Sequence, residues 1–321
     1  MWAHLSGVLV LLVLASGQTE AACDCTDTTC NCTGISRVPQ DISVPANTTV
    51  LNLLNSNIGN FGSFPALAQL QELTLTSNQI DRIQPRAFTP SDHPQLQKVT
   101  ISNNRINSIQ PAAFSELPLL QELSLANNNI TSLQPGTFQN LPELRNLSLS
   151  YNKIDRVQPS AIDNVPKLQS LDLSSNQIAR IQPNAFPSGL VQVDLSSNNI
   201  TAIDAGAFGN VTLLQQLDLS SNQLRASALL SASVCNDLSS IPGTVDLSDN
   251  PWGCDCSGVF PDDLSSCSAD IISQIQCTSG GSTSPLTLQG GTVMCSAASV
   301  SAYYTPLLLL SVAAMLKNML M

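Results

Sequence analysis

Apolar and polar positions alternate in a block that returns seven times between Leu70 and Leu224, as L-x-x-L-x-L-x-x-N-x-(I/L). Its asparagines fall at Asn78, Asn104, Asn128, Asn152, Asn176, Asn198 and Asn222, mostly 24 residues apart. Within each block the alternating leucines, such as Leu123 and Leu125, predict one short strand with its apolar face turned inward. The asparagine that follows can donate and accept at once, which suits a turn whose backbone groups need partners. Ten residues after each of the first six asparagines stands a second apolar position: Phe88, Phe114, Phe138, Ile162, Phe186 and Phe208. Most are preceded by Gln-Pro, as in Gln84-Pro85, Gln110-Pro111 and Gln134-Pro135, and proline donates no backbone hydrogen bond. The fixed offset predicts an inward apolar spine beneath irregular, extended segments with few helices. Self-similarity at this period predicts a solenoid of α/β type: a parallel sheet on the concave side, turns on the convex side, and a core closed only by stacking.

The blocks continue outward in weaker form. Leu51-Asn52-Leu53 opens an irregular unit with Ser56 in the asparagine position, and Val245 to Asn250 forms a degenerate one, so the array spans 51–250. A stack of repeats exposes an apolar face at each end and requires caps. Cys23, Cys25, Cys30 and Cys32 mark an N-terminal cap over 23–50. Cys254, Cys256, Cys267, Cys277 and Cys295 mark a C-terminal cap over 251–295, with Cys235 just upstream. Two even-numbered clusters behind a leader imply disulfides formed in an oxidising compartment. Cys-x-Cys pairs can also ligate zinc, but no histidine lies near them, so neither a metal nor a cofactor is expected.

Both chain ends carry processing signals. Residues 1–22 hold an apolar run from Leu5 to Leu14 followed by small residues, a secretory signal peptide with cleavage after Gly17 or near Ala22. Residues 296–321 combine the small triplet Ser296-Ala297-Ala298, a short spacer and an apolar tail, the pattern of a glycosylphosphatidylinositol signal removed on attachment at Ser296. A membrane-spanning helix is the rival and a plain secreted form the third reading. The stretch from Pro306 to Leu316 is 11 residues, whereas a span needs roughly 20. Sequons at Asn31, Asn47, Asn129, Asn146, Asn199 and Asn210 agree with export, and Asn31, set among cysteines, is the least suited to carry a glycan. The expected location is the extracellular face of the plasma membrane.

With its leader, cysteine-rich N-cap, 24-residue repeats, anchor signal and Asn250-Pro251-Trp252-Gly253-Cys254-Asp255-Cys256 segment, the chain resembles extracellular leucine-rich-repeat proteins of the variable lymphocyte receptor type. The resemblance implies a horseshoe with disulfide-stapled caps and pairs Cys254–Cys277 and Cys256–Cys295. Cys235 and Cys267 are additional to the family pattern and are expected to bond to each other. The family's N-cap carries a cysteine upstream of its Cys-x-Cys pair that this chain lacks; Cys30 is present instead, and Cys23–Cys32 with Cys25–Cys30 is the expected arrangement. The family's Thr/Pro-rich stalk is also missing, which favours a receptor-like relative of fixed sequence.

Net charge is −11, which disfavours nucleic acid and anionic membranes and favours basic partners. The acids concentrate toward the C-cap: residues 160–270 hold 12 against three bases, Lys167, Arg180 and Arg225. Between the strand leucines the outward column reads Thr74, Thr100, Ser124, Ser148, Asp172, Asp194, Asp218 and Asp246. Its aspartates form a ladder that is either a binding surface or simply solvated. Tyr151 is the one aromatic assigned to this face, and Tyr151 with Arg145 is the best local candidate for contact with a protein, with Asn146 beside them. His93, in Ser91-Asp92-His93-Pro94, reads as a solvated loop residue, and no catalytic constellation emerges, so an enzyme is not expected. These features predict a recognition protein, with innate immunity suggested by the resemblance, binding a protein or glycan on its inner wall and signalling through a co-receptor. The alternative is a structural or adhesion protein acting by self-association.

Overall fold

A computed structural model describes residues 22–36, 42–59, 61–62, 64–114, 117–159, 161–226, 232–254, 266–279, 282–289 and 292–295. The leader before Ala22, Cys256 with its expected bond to Cys295, and the tail with Ser296 lie outside the described residues.

The repeats wind into one 11-stranded sheet. Its strands are β1 (Ala22–Thr26), β2 (Thr29–Thr33), β3 (Val50–Asn52), β4 (Glu72–Thr74), β5 (Lys98–Thr100) and β6 (Glu122–Ser124). Then follow β7 (Asn146–Ser148), β8 (Ser170–Asp172), β9 (Gln192–Asp194), β10 (Gln216–Asp218) and β11 (Thr244–Asp246). Within this sheet only β1 and β2 pair antiparallel; from β2 onward each strand lies parallel to the next, in chain order. The N-terminal cap therefore extends the inner wall by a hairpin, a continuation the sequence did not announce.

Stacking follows from what each leucine and asparagine must satisfy. Leu73, Val99, Leu123, Leu147, Leu171, Val193 and Leu217 occupy the middle of successive strands and are buried. Each repeat asparagine then closes the turn and ties it to the coil before. The amide of Asn152 donates from Nδ2 to the carbonyls of Leu149 (3.0 Å) in its own turn and Leu125 (3.0 Å) in the preceding one, while its Oδ1 accepts from the Ile130 N–H at 3.0 Å. The same set of bonds recurs at Asn104, Asn128, Asn176, Asn198 and Asn222, and again at Asn250. Ser56 is too short for this reach; its hydroxyl donates to the Leu54 carbonyl at 3.4 Å.

The convex side carries two-residue parallel bridges, such as Arg82–Ile83 with Ser108–Ile109 and Arg180–Ile181 with Ala202–Ile203. Beneath it the phenylalanines form the expected spine. Phe88 and Phe114 stack with ring centroids 5.6 Å apart, Phe114 and Phe138 at 6.2 Å, and Phe186 and Phe208 at 5.6 Å; Ile162 stands in the gap.

The ends are closed differently. In the β1–β2 hairpin, Cys23–Cys32 and Cys25–Cys30 join directly opposed residues, with Cα atoms 4.0 and 4.1 Å apart. At the other end α1 (Ala232–Ser239) turns Val234, Cys235 and Leu238 onto the last repeats, and Cys235 bonds to Cys267. Cys254 bonds to Cys277, and Trp252 is buried. Among the described residues no further strand pairs with the outer edge of β11. Instead Gln274, capping α2 (Ala269–Ser273), accepts from the Leu247 N–H at 2.7 Å and donates to the Val245 carbonyl at 2.8 Å. One side-chain amide thus replaces the missing neighbour and blunts the edge.

His93 is a correction to the sequence reading. It is buried, at 1% exposure, with its ring 5.6 Å from Phe64 and 5.7 Å from Phe88, and Nε2 lies 3.0 Å from the Pro65 carbonyl. A hydrogen bond to that carbonyl requires the proton on Nε2, so Nδ1 is the unprotonated, buried nitrogen, without a partner among the described residues. The residue before Pro94 looked like an exposed connection because burial here comes from Phe64, distant in sequence. Burial lowers the His93 pKa below 6.5, against smaller opposing effects of the Pro65 carbonyl, Asp92 and the Thr89 backbone. Its folded pKa lies below the unfolded value, so the unfolded chain binds the extra proton first. Stability is therefore full above about pH 6.5 and declines as pH falls through that value. We expect Tm to drop between about pH 7.5 and about pH 5, and His93→Phe to flatten that part of the profile. An unchanged slope in the variant would show that His93 does not carry the effect.

Candidate binding wall

The outward positions of the wall form two columns. The third residue of each strand gives Asn52, Thr74, Thr100, Ser124, Ser148, Asp172, Asp194, Asp218 and Asp246, in direct register across neighbouring strands. Nine strands at about 4.8 Å spacing make this a surface on the order of 40 Å long. The four aspartates stand on adjacent strands, so the ladder exists as read. Each also has a local duty that the sequence pattern did not disclose. Oδ1 of Asp172, Asp194, Asp218 and Asp246 accepts the backbone N–H two residues on, from Ser174, Ser196, Ser220 and Ser248, at 2.9–3.0 Å. Asp172 also takes a bond from Ser148 on β7 through Oδ2, at 3.0 Å. One oxygen of each carboxylate fixes the turn leaving the strand, while the negative charge remains on the wall. Among the described residues no group of His, Cys, Asp and Glu has the arrangement of a metal site.

The first residue of each strand from β4 to β11 gives the second column: Glu72, Lys98, Glu122, Asn146, Ser170, Gln192, Gln216 and Thr244, with Val50 in this position on β3. Lys98 on β5 and Glu122 on β6 are opposed and form an ion pair at 2.9 Å, which raises the Lys98 pKa. The pair is half exposed and contributes little to stability. A depression of about 480 Å³ lies around it, lined by Lys98, Glu122, Ser124, Asn146, Ser148 and Asp172, among others. The wall therefore has an N-terminal half of mixed charge, a concavity at its middle, and an acidic C-terminal half.

Arg145 and Tyr151 are not brought together. Arg145 immediately precedes β7 and Tyr151 follows its end by three residues, so they stand at opposite margins of the wall. Tyr151 occupies the turn position before the repeat asparagine, with φ +53°, where other repeats place Ser77, Asn103, Asn127, Ser175, Ser197, Ser221 or Asp249 in the same left-handed conformation. It is 64% exposed, a rim residue and not part of the sheet face. The signal was present in the sequence, since Tyr151 adjoins Asn152, but the turn's geometry decides where the ring goes.

The sequons are unequal. Asn47 lies exposed in a turn, Asn146 is exposed on β7, and Asn199 is exposed on the flank next to the repeat asparagine Asn198. Asn129 holds the equivalent flank position and is half-buried. Asn31, exposed on β2, accepts from Asn52 Nδ2 at 2.9 Å. Asn210 differs: its Nδ2 donates to the Phe186 carbonyl at 2.8 Å, and its Oδ1 is buried. A glycan there would have to be accommodated against the convex layer.

The leucine rich repeat family profile matches residues 94–154, 142–188, 166–224 and 188–241. The fold is that of a leucine-rich-repeat horseshoe. Two of the solved structures that share it are described by name. One is the TLR13–ssRNA13 complex, at TM-score 0.53 and 27% identity, covering 62% of this chain and 28% of that chain. The other is human 5T4 (Wnt-activated inhibitory factor 1, trophoblast glycoprotein), at TM-score 0.52 and 22% identity, covering 79% and 90%. The chain thus spans under a third of the TLR13 chain. No curated protein matches by sequence.

Proposed function

We propose that this leucine-rich-repeat chain is a cell-surface recognition protein, without catalytic activity, that binds an extracellular protein or glycan along its concave wall. The observation that carries this reading is the wall itself: nine repeat strands in strict register, with polar outward columns and an acidic half. The disulfides support an extracellular setting, since such bonds persist in oxidising compartments. The likeness to TLR13 and the overall resemblance to variable lymphocyte receptors support innate immune recognition as the context, while the C-cap segment supports an extracellular leucine-rich-repeat protein more generally. A lipid anchor at Ser296 and a signalling co-receptor belong to the same proposal. TLR13 is named with single-stranded RNA, but the ladder of Asp172, Asp194, Asp218 and Asp246 opposes a polyanion, so the ligand proposed here is basic or neutral.

Glycan arrays and cell-surface pull-downs with the soluble ectodomain test the reading. Replacing Asp172, Asp194 and Asp218 together by Asn keeps their turn hydrogen bonds and removes the charge. Affinity should fall about tenfold or more. A ligand indifferent to the triple variant would move the site off the wall. Concentration-dependent dimers in sedimentation, with no separate ligand, would favour adhesion by self-association.

A further inference from the structure

We propose that Asn146 carries an N-linked glycan that fills the depression at the middle of the wall and divides it into two separate binding halves. Three observations meet at this residue. First, β7 is the fifth of the nine repeat strands β3 to β11, so four strands lie on either side. Second, Leu147 points inward and is buried, which turns Asn146 and Ser148, the two functional residues of the Asn-Leu-Ser sequon, onto the open face. Third, Asn146 itself lines the depression of about 480 Å³, a volume within the roughly 300–1,000 Å³ that receives small-molecule-sized groups. Its lining includes Lys98, Glu122, Ser124 and Ser148, which offer charged and hydroxyl partners beside the strand residues Val99, Leu123 and Leu147, and holds no aromatic residue. The charged and hydroxyl side chains there can bond sugar hydroxyls.

The modification is an ordinary transfer from a lipid-linked oligosaccharide diphosphate in the secretory pathway. Nδ2 of Asn146 forms the bond to the anomeric carbon, the carbon–oxygen bond to the diphosphate breaks, and Nδ2 gives up one proton. With the glycan in place, the half from β3 to β6 presents Glu72, Lys98 and Glu122, and the half from β8 to β11 presents the aspartates. The consequence for a ligand rests on the wall reading above: one bound on either half would not cross β7.

The test uses the full chain expressed in secreting cells that make only high-mannose glycans, and two lysines as reporters. Lys98 lies on the wall two strands from Asn146, and Lys167 pairs with Glu143 outside the wall, with side chains 48% and 49% exposed. Each is compared only with itself, because the Glu122 pairing already alters the reactivity of Lys98. Peptide mass spectrometry should find Asn146 glycosylated. Labelling of Lys98 by a bulky amine-reactive ester should rise severalfold after endoglycosidase trimming of the folded protein, and likewise in Asn146→Gln, while Lys167 stays constant. An unmodified Asn146, or an occupied one whose removal leaves Lys98 labelling unchanged, overturns the proposal. Neither readout needs a ligand, so failure of the recognition reading would leave this result standing.

Discussion

Asn152→Ala should destabilise the chain by about 3–5 kcal/mol, although it removes only a small polar side chain. The asparagine is buried at 7% exposure and bonds to Leu125, Leu149 and Ser150 carbonyls and to the Ile130 N–H. Alanine fills none of these roles, and each buried group left unpaired costs about 1–3 kcal/mol. The Ile130 N–H is left without its acceptor inside the stack, and the Leu125, Leu149 and Ser150 carbonyls each lose one of two donors, keeping only Asn128 Nδ2, Asn176 Nδ2 and the Asn127 N–H respectively. The position adds a second effect. Stability in a solenoid is close to a sum of repeat and nearest-neighbour contributions. A weakened middle repeat should therefore broaden denaturant unfolding as the two ends lose their coupling. Urea unfolding followed by circular dichroism, with disulfides intact, measures both. Gln192→Ala, exposed on β9, is the matched control and should shift stability by less than about 0.5 kcal/mol. Equal effects of the two substitutions would mean that the asparagines are ornaments of the sequence and not ties between coils.

Phe114→Ala is the second large effect, at about 3–5 kcal/mol. The ring is fully buried and stands between Phe88 and Phe138, at 5.6 and 6.2 Å. Its removal leaves a cavity between coils whose spacing is held by the sheet and the asparagine bonds, so collapse is limited. Two aromatic contacts go with it, each contributing about 0.5–1.5 kcal/mol beyond burial. The convex bridges should open before the wall does. Hydrogen exchange of Ile83 and Ile109, paired on the convex side, should accelerate more than that of Leu123 on β6. Uniform acceleration would show instead that the spine and the sheet open as one unit.

Much of this architecture was legible because a solenoid repeats its requirements. One asparagine with an uncertain role is ambiguous; seven in the same place of a repeating block can be met only by one turn geometry, and Asn250 then falls into the same bonds at the C-cap. The phenylalanine offset located the spine for the same reason. Features that occur once were harder to read. Gln274 closes the edge of β11 through a contact 27 residues from Leu247, and His93 is buried by Phe64, far from any local signal. The joint placement of Tyr151 and Arg145 failed because six residues of a short strand and its turn carry the chain across the wall.

The period, the inward leucines, the asparagine turns, the spine and the central outward column could be read from the residues alone, because each is set by local chemistry repeated until only one stacking satisfies it. The tertiary structure alone decided how the ends are sealed, that His93 is buried, that Tyr151 stands on the rim, and that Lys98, Glu122 and Asn146 share one concavity. These last depend on distances between coils, where side chains remote along the chain come within reach only once the horseshoe has closed.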